Sequence, residues 1–389
     1  MKFGQYRYLF FLRDVLWLAI YAVGGPNAHL GYFINLLVKK RKYLTETEFL
    51  ELNALCQLLP GPTSTQVIVA VGYKIGKARL AYLTLMVWSM PAVICMITAA
   101  YFINQLPHLN FTEYILPLAI AMVFTSSSTL VKKSIVSKTA AALFFASCAS
   151  ALYFKSSYVY PFLIFIGGFI SSFKWEKNNK ISEQNYSFDI PWANFVLYVS
   201  VYLITLILGG LTDLLPIKLF QNFYRIGSLI FGGGNVLISI LYTEFVEMKA
   251  YLTRNEFISG YAISQIVPGP VFSIVSYIGA LALRDLGLAG FIMGGIVAAA
   301  GIFLPGTFLI FFVIRIWENL KKLPIIKAAL EGFIAVSAGL LAATAIMLVV
   351  VMPPTLQNFS TLIFSMILLY FKINPAILII LAVLAGIIF

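Results

Sequence analysis

Charged side chains fall in short islands along this chain, and the stretches between them are apolar. Uncharged runs cover residues 80–112, 114–131, 139–154, 156–173, 190–212, 257–283, 286–314 and 332–371. Several exceed the ~18–20 residues that an α-helix needs to cross a hydrocarbon layer, and they predict membrane-spanning helices. A transmembrane β-barrel would show short segments of alternating polarity instead, a pattern missing here. Segments 139–154, 156–173, 359–371 and 373–389 are the weakest predicted crossings.

Two further apolar stretches are interrupted. Residues 8–38 break at Gly24-Gly25-Pro26, and residues 46–73 break at Pro60-Gly61-Pro62. Proline removes an amide donor and cannot continue the preceding helix, whereas glycine accepts unusual dihedrals. Proline is also tolerated where a new helix begins. Each Pro-Gly-Pro therefore stops one half-helix and starts another. Such a break at membrane depth survives only where protein buries it or where it lines a polar cavity.

The chain also repeats itself. A shift of 208 residues aligns Gly24-Gly25-Pro26-Asn27 with Gly232-Gly233-Gly234-Asn235, and Tyr43-Leu44-Thr45 with Tyr251-Leu252-Thr253. The same shift pairs Glu48-Phe49 with Glu256-Phe257, Gln57 with Gln265, and Pro60-Gly61-Pro62 with Pro268-Gly269-Pro270. Without a gap, 14 of 39 positions match. The expected organisation is a first transmembrane repeat at 1–173 and a second at 214–389. Between them, 174–213 would hold a cytoplasmic linker and one extra, inverting helix.

Charge then sets orientation. If each interrupted block enters and leaves the membrane on one side, 21 of the 27 Lys and Arg residues share a face, which is the cytoplasmic one. The N-terminus lies there. Lys39-Lys40-Arg41-Lys42 follows the first block, but its counterpart carries Glu244 and Glu247 with one Lys249. Related sequence with opposite charge bias is the mark of an inverted-topology repeat, common in secondary transporters. The expected fold class is thus an all-α polytopic membrane protein, with re-entrant or broken helices at the Gly-Gly-Pro and Pro-Gly-Pro motifs.

Composition agrees: 61% of residues are hydrophobic and 11% charged, with a mean hydropathy of +0.93. A single water-soluble globule is excluded. The net charge of +12 reports orientation, not a nucleic-acid partner. Cys56, Cys95 and Cys148 sit in apolar sequence and read as small core residues without disulfide or metal spacing. Trp17, Trp88, Trp175, Trp192 and Trp317 lie near predicted segment ends, where interfacial anchoring is expected. Arg13-Asp14 interrupts the first apolar run and no small-residue cleavage site follows, so no removable signal peptide is expected.

The broken helices carry the candidate chemistry. A half-helix start exposes free N–H groups and the positive end of its dipole, a ready anion site. The loop around Gly61 adds hydroxyls from Thr63, Ser64 and Thr65; around Gly269, Ser273 is the counterpart of Thr65. Gly25 and Gly233 offer the same device with Asn27 and Asn235. Gln57 and Gln265, one turn before their Pro-Gly-Pro, either brace the half-helix or touch substrate. His29 either titrates, binds substrate, or is a neutral, satisfied helix residue. Lys74 is an anion attractor or a topology charge. Thr45-Glu46-Thr47-Glu48 and Thr253-Arg254-Asn255-Glu256 are capping boxes, which accounts for Glu48 and Glu256 structurally. The candidate substrate site is therefore Gly25, Asn27, His29, Gln57, Gly61, Thr63, Ser64, Thr65, Gly233, Asn235, Gln265, Gly269 and Ser273.

Gly24-Gly25-Pro26-x-Ala28-His29, Phe49 to Gln57, Leu58-Leu59-Pro60-Gly61-Pro62 and Phe231-Gly232-Gly233-Gly234 with Pro268-Gly269-Pro270 together resemble the chromate ion transporters, in their long two-domain form. The resemblance covers essentially the whole chain. It implies an inner-membrane secondary transporter with homologous halves of opposite orientation, exporting chromate and conferring chromate resistance. Sulfate has the same shape and charge, and backbone donors would discriminate poorly between the two.

The leading reading is a secondary active transporter of a tetrahedral oxyanion; an anion channel or a sulfate transporter on the same scaffold stays open. An intramembrane enzyme would need a polar catalytic set that the sequence lacks. No Gly-x-x-x-x-Gly-Lys-Ser/Thr run is present, so energy must come from protons, a counter-ion or the membrane potential. No cofactor is expected. The partners are the oxyanion, the lipid bilayer, protons or a counter-ion, and, as an open option, a second copy in a homodimer.

Overall fold

The computed structural model describes residues 2–23, 25–105, 112–135, 137–154, 159–178, 192–230, 234–320, 324–371, 373 and 375–388. Among them there are helices and no strands. In chain order these are α1 (Lys2–Tyr21), α2 (Gly25–Phe33), α3 (Glu46–Leu58), α4 (Thr63–Gln105), α5 (Thr112–Ser134), α6 (Lys138–Phe154), α7 (Val159–Asn178) and α8 (Trp192–Leu211). There follow α9 (Leu215–Leu229), α10 (Gly234–Tyr242), α11 (Arg254–Ile266), α12 (Ile274–Ala282), α13 (Gly287–Leu320), α14 (Pro324–Val351), α15 (Leu356–Tyr370) and α16 (Pro375–Ile388). Among the described residues, four stretches are long and apolar enough to cross a membrane: Thr63–Gln105, Trp192–Leu211, Arg284–Trp317 and Glu331–Val350.

The interruptions fall where the sequence places them. α1 ends before the Gly24-Gly25 break, and α3 is separated from α4 by Pro60-Gly61-Pro62. α3 and α11 have 13 residues each, about 20 Å at ~1.5 Å per residue. That is short of the ~30 Å hydrocarbon thickness. Thr45 caps α3 by accepting from the Glu48 N–H while Glu48 receives the Thr45 N–H at 2.7 Å, and Thr253 with Glu256 does the same for α11.

Backbone conformation repeats at the same 208-residue interval. Lys42 and Ala250 have φ of 52° and 50°; Gly61 and Gly269 have 118° and 100°. α2 runs on as a π-helix over Ile34–Lys40, and α10 likewise over Thr243–Met248. A further pair marks the bend after each half-helix. α4 kinks at Lys77 (φ 60°, ψ −160°), and 210 residues further on Gly287, the first residue of α13, has φ 66°, ψ −157°. This region is essentially reserved for glycine, so Lys77 is strained where the second repeat is not. Lys77→Gly should raise the melting temperature of the purified protein by the equivalent of about 1 kcal/mol, the relief of strain less glycine's entropic cost. A lower melting temperature would show that no such strain is stored there.

Packing divides the chain into two compact units that each draw on both sequence repeats. One comprises Met1–Gln105, Ile190–Leu229 and Ile263–Trp317; the other Leu106–Asp189, Ile230–Ala262 and Glu318–Phe389. In the first, α4 packs against α1, α2, α3 and α12, and α8 lies on α9. Glycines let backbones meet: a Cβ on Gly294 of α13 would fall 2.0 Å from the Gly279 carbonyl oxygen of α12. In the second, α14 is central and contacts α5, α6, α7 and α10. A Cβ on Gly332 would fall 2.1 Å from the Gly167 carbonyl oxygen of α7. Close approach through small residues is how helices associate where lipid offers no hydrophobic drive.

Two expectations need correction. Trp88 is not an interfacial anchor; it is fully buried in mid-α4, and Trp317 is also buried, whereas Trp17 and Trp192 are exposed. Hydropathy alone does not distinguish the protein-facing side of an apolar helix from its lipid-facing side. For the same reason Cys95 proves exposed on α4, while Cys56 is buried and Cys148 half-buried. Trp175's side chain and His108 lie outside the described residues.

Candidate functional site

Both Pro-Gly-Pro breaks fall in the first compact unit. At the first break, the Gln66 side chain turns back and its Nε2 donates to the Pro60 carbonyl at 2.6 Å. That bond holds the carbonyl that the missing helical turn would have satisfied. The first intrahelical bond of α4 runs from the Gln66 N–H to the Pro62 carbonyl. The amides of Thr63, Ser64 and Thr65 precede it, the position in which helix N–H groups have no intrahelical acceptor.

The hydroxyls of this turn are engaged by buried partners. Ser64 Oγ lies 3.1 Å from His29 Nδ1, and Thr65 Oγ1 accepts from the Trp88 indole N–H at 3.1 Å. The His29 and Trp88 rings meet edge to face with centroids 5.3 Å apart. His29 is fully buried, and its Nε2 has no hydrogen-bond partner among the described residues; nor do Gln66 Oε1 and Ser273 Oγ. A buried polar atom left unpaired costs about 1–3 kcal/mol. Three such atoms, on His29, Gln66 and Ser273, belong to residues beside the two breaks.

At the second break the Gly269 N–H donates to the Ala22 carbonyl at 2.9 Å, tying this loop to the end of α1. A Cβ on Gly25 would lie 3.8 Å from the Val271 side chain, so the start of α2 also borders this loop.

The two breaks are cradled reciprocally. A Cβ on Gly61 would lie 3.6 Å from the Gly227 carbonyl oxygen of α9, and one on Gly269 would lie 3.6 Å from the Ala19 carbonyl oxygen of α1. Ala19 and Gly227 are themselves 208 residues apart. Gly306 of α13 borders the Pro60 carbonyl, and Ala92 of α4 borders Gly269. Each follows a mid-helix proline, Pro305 and Pro91. Each repeat thus supports the break of the other.

Other candidates fall elsewhere. Gln57 is exposed, not buried, because it sits on the open side of α3; Gln265 is half-buried with Nε2 3.4 Å from Ser264 Oγ. Thr63 is half-buried and Ser273 buried. Gly233 and the side chains of Asn27 and Asn235 lie outside the described residues. Lys74 pairs with Glu48, so its charge is locally neutralised. Lys74, with the Thr45 N–H and hydroxyl, holds the Glu48 carboxyl down to about 2. Glu48 therefore stays ionised and carries no proton near neutrality.

Sequence reasoning missed two groups. Gln66 was visible only as one polar residue in the run 63–73, without a repeat partner: Ile274 stands at its counterpart. Asp14, an acid within apolar α1, is buried and held bidentately by Arg41 at 2.8 and 3.0 Å; the Tyr43 hydroxyl donates to it at 2.8 Å. This clamp fixes α1 to the segment following the π-helix, close in sequence to the first capping box.

Short half-helices, two Pro-Gly-Pro breaks in one unit and a buried polar cluster beside them define a multi-pass helical membrane protein of transporter type. The chain belongs to the chromate transporter family, whose profile matches residues 9–172 and 217–387. It is 26% identical over 380 residues to an uncharacterized transporter of Methanocaldococcus jannaschii, covering 95% of this chain and 91% of that one. It is 25% identical over 352 residues to a chromate transport protein of Cupriavidus metallidurans, covering 87% and 81% of the two chains. A probable chromate transport protein of Synechococcus elongatus is 24% identical over 381 residues, covering 94% and 91%. No solved structure matches the chain.

Proposed function

We propose that the protein is a secondary active transporter that exports a tetrahedral divalent oxyanion, chromate or its structural twin sulfate, across the inner membrane. The observation that carries this reading is the presence of both Pro-Gly-Pro breaks in one compact unit, beside buried polar atoms without partners among the described residues. The α4 start at Thr63–Thr65, the loop around Gly269 with Ser273, and His29 form the cradle, with Gly25 of the first Gly-Gly-Pro break at its edge. Gln57 and Gln265 are its secondary members, able to contact the anion on its way in or out. Half-helix N-termini supply partial positive charge without a fixed counter-charge, which suits an anion that must also leave.

The halves are inverted with respect to each other. The reversed charge bias and the reciprocal cradling support this, since a two-fold relation makes residue i contact j′ whenever i′ contacts j. The N-terminus is cytoplasmic, and the blocks α3 with early α4 and α11 with α12 are re-entrant. Rocking one repeat against the other alternates access. An inside-negative potential itself favours anion export, by about 2.3 kcal/mol per charge per 100 mV. Family membership favours transport over intramembrane catalysis.

The test is uptake of labelled chromate and sulfate into inside-out vesicles holding the protein, with and without a pH gradient. Saturable, concentrative uptake of either anion is expected. Unsaturable flux driven purely by voltage would assign a channel, and no flux of either anion would reject the reading.

A further inference from the structure

An imidazole lies beside both breaks. Ser64, in the first turn after Pro60-Gly61-Pro62, pairs with His29 Nδ1 at 3.1 Å. The backbone carbonyl that faces the ring is that of Ala22, the same carbonyl that accepts the Gly269 N–H of the second break at 2.9 Å. Nε2 of this fully buried ring has no partner among the described residues. Among the described residues, the rings packed on it are the Trp88 indole of α4 and the Phe33 ring of its own helix. None of these neighbours is charged or titrates near neutrality.

We propose that His29 is the proton-carrying ligand of the oxyanion site, so that anion and proton bind together. The inference rests on reading the two breaks as the oxyanion cradle. With Nδ1–H donating to the Ser64 hydroxyl, Nε2 holds the lone pair and takes up one proton from water. The resulting imidazolium gains an N–H at Nε2 and places a full positive charge between the breaks, where the half-helices supply only partial charge. Release of the anion leaves that charge buried and uncompensated, so the proton leaves too. Linkage makes the effect reciprocal: protonation tightens anion binding by the factor by which the anion tightens proton binding. A dianion accompanied by one proton moves one net negative charge, on which the membrane potential still acts.

The experiment is equilibrium binding of radiolabelled sulfate, a dianion throughout the range, to purified full-length protein between about pH 5 and 8, the window in which histidine titrates. For the wild type, sulfate affinity should rise as pH falls, by up to about tenfold per unit where one proton is taken up per anion. His29→Gln keeps a hydrogen-bonding amide but cannot titrate, and its sulfate affinity should be flat across the range. A slope that persists in His29→Gln, or a flat wild type, overturns the proposal. Should His29→Gln not yield monodisperse protein, Ser64→Ala decides: the ring loses its Nδ1 partner and the midpoint of the pH dependence should move, whereas an unmoved midpoint overturns the assignment. Failure of the wild type to bind sulfate or chromate at any pH has a different signature and would bring down the cradle itself, and this inference with it.

Discussion

Gly61→Val and Gly269→Val should each cut oxyanion flux by about a hundredfold or more while leaving the protein monodisperse in detergent. Both glycines have φ above 90°, where a β-branched residue is a genuine outlier. Holding valine there costs about 1–3 kcal/mol, and the backbone relaxes instead if it can. At Gly61 the added Cβ would sit 2.9 Å from Gln66 Nε2, dislodging the amide that holds the Pro60 carbonyl. At Gly269 it would press on the Ala92 Cβ at 3.2 Å. Either way the loop shifts relative to the half-helix start it aims. A displacement of ~1 Å in a positioning element is enough for about a 100-fold loss. The check is initial-rate uptake in proteoliposomes at matched reconstitution, with thermal stability measured in parallel. Wild-type uptake by both variants would remove these loops from the transport path.

Gly294→Val is expected to act on folding instead. Its Cβ would lie 2.0 Å from the Gly279 carbonyl oxygen, and the reciprocal approach, Gly279 to the Gly294 carbonyl, is 2.3 Å. Two helix backbones cross here in contact, and neither can yield without separating α12 from α13. Substitutions of this kind belong among the rare ones costing more than about 4 kcal/mol. Little or no monodisperse protein should be recovered. The matched control is Gly210→Val in α8, where an added Cβ meets nothing within 4 Å; its yield should equal the wild type's. Normal recovery of Gly294→Val would mean that the α12–α13 crossing contributes little to the fold.

What could be read from sequence was what local chemistry decides. Pro-Gly-Pro ends a helix whatever surrounds it, and Thr-x-x-Glu followed by apolar residues caps one. Those elements are present, with positive φ at both glycines and both capping boxes formed. The 208-residue shift was equally legible, because it needs only identity of residues. Side-chain partnership across the fold was not. His29 meets Ser64 across 35 residues, and Asp14 meets Arg41 across 27; no periodicity announces either. Trp88 shows the same limit from another side. Its place in an apolar run suits a lipid-facing anchor and a core residue equally, and only packing against His29, Phe33 and Thr65 decides. The compact units also cut across the sequence repeats, because chain connectivity and spatial packing follow different logic in a duplicated protein.

The exchanged support of the two breaks has an evolutionary corollary. Because Ala19 and Ala92 border the loop of the second repeat, and Gly227 and Gly306 that of the first, each repeat constrains what the other can become. Neither copy can drift freely, since enlarging a small residue in one deforms the working turn of its sibling. A scar left by selection in one half should therefore be sought in the contacts of the other.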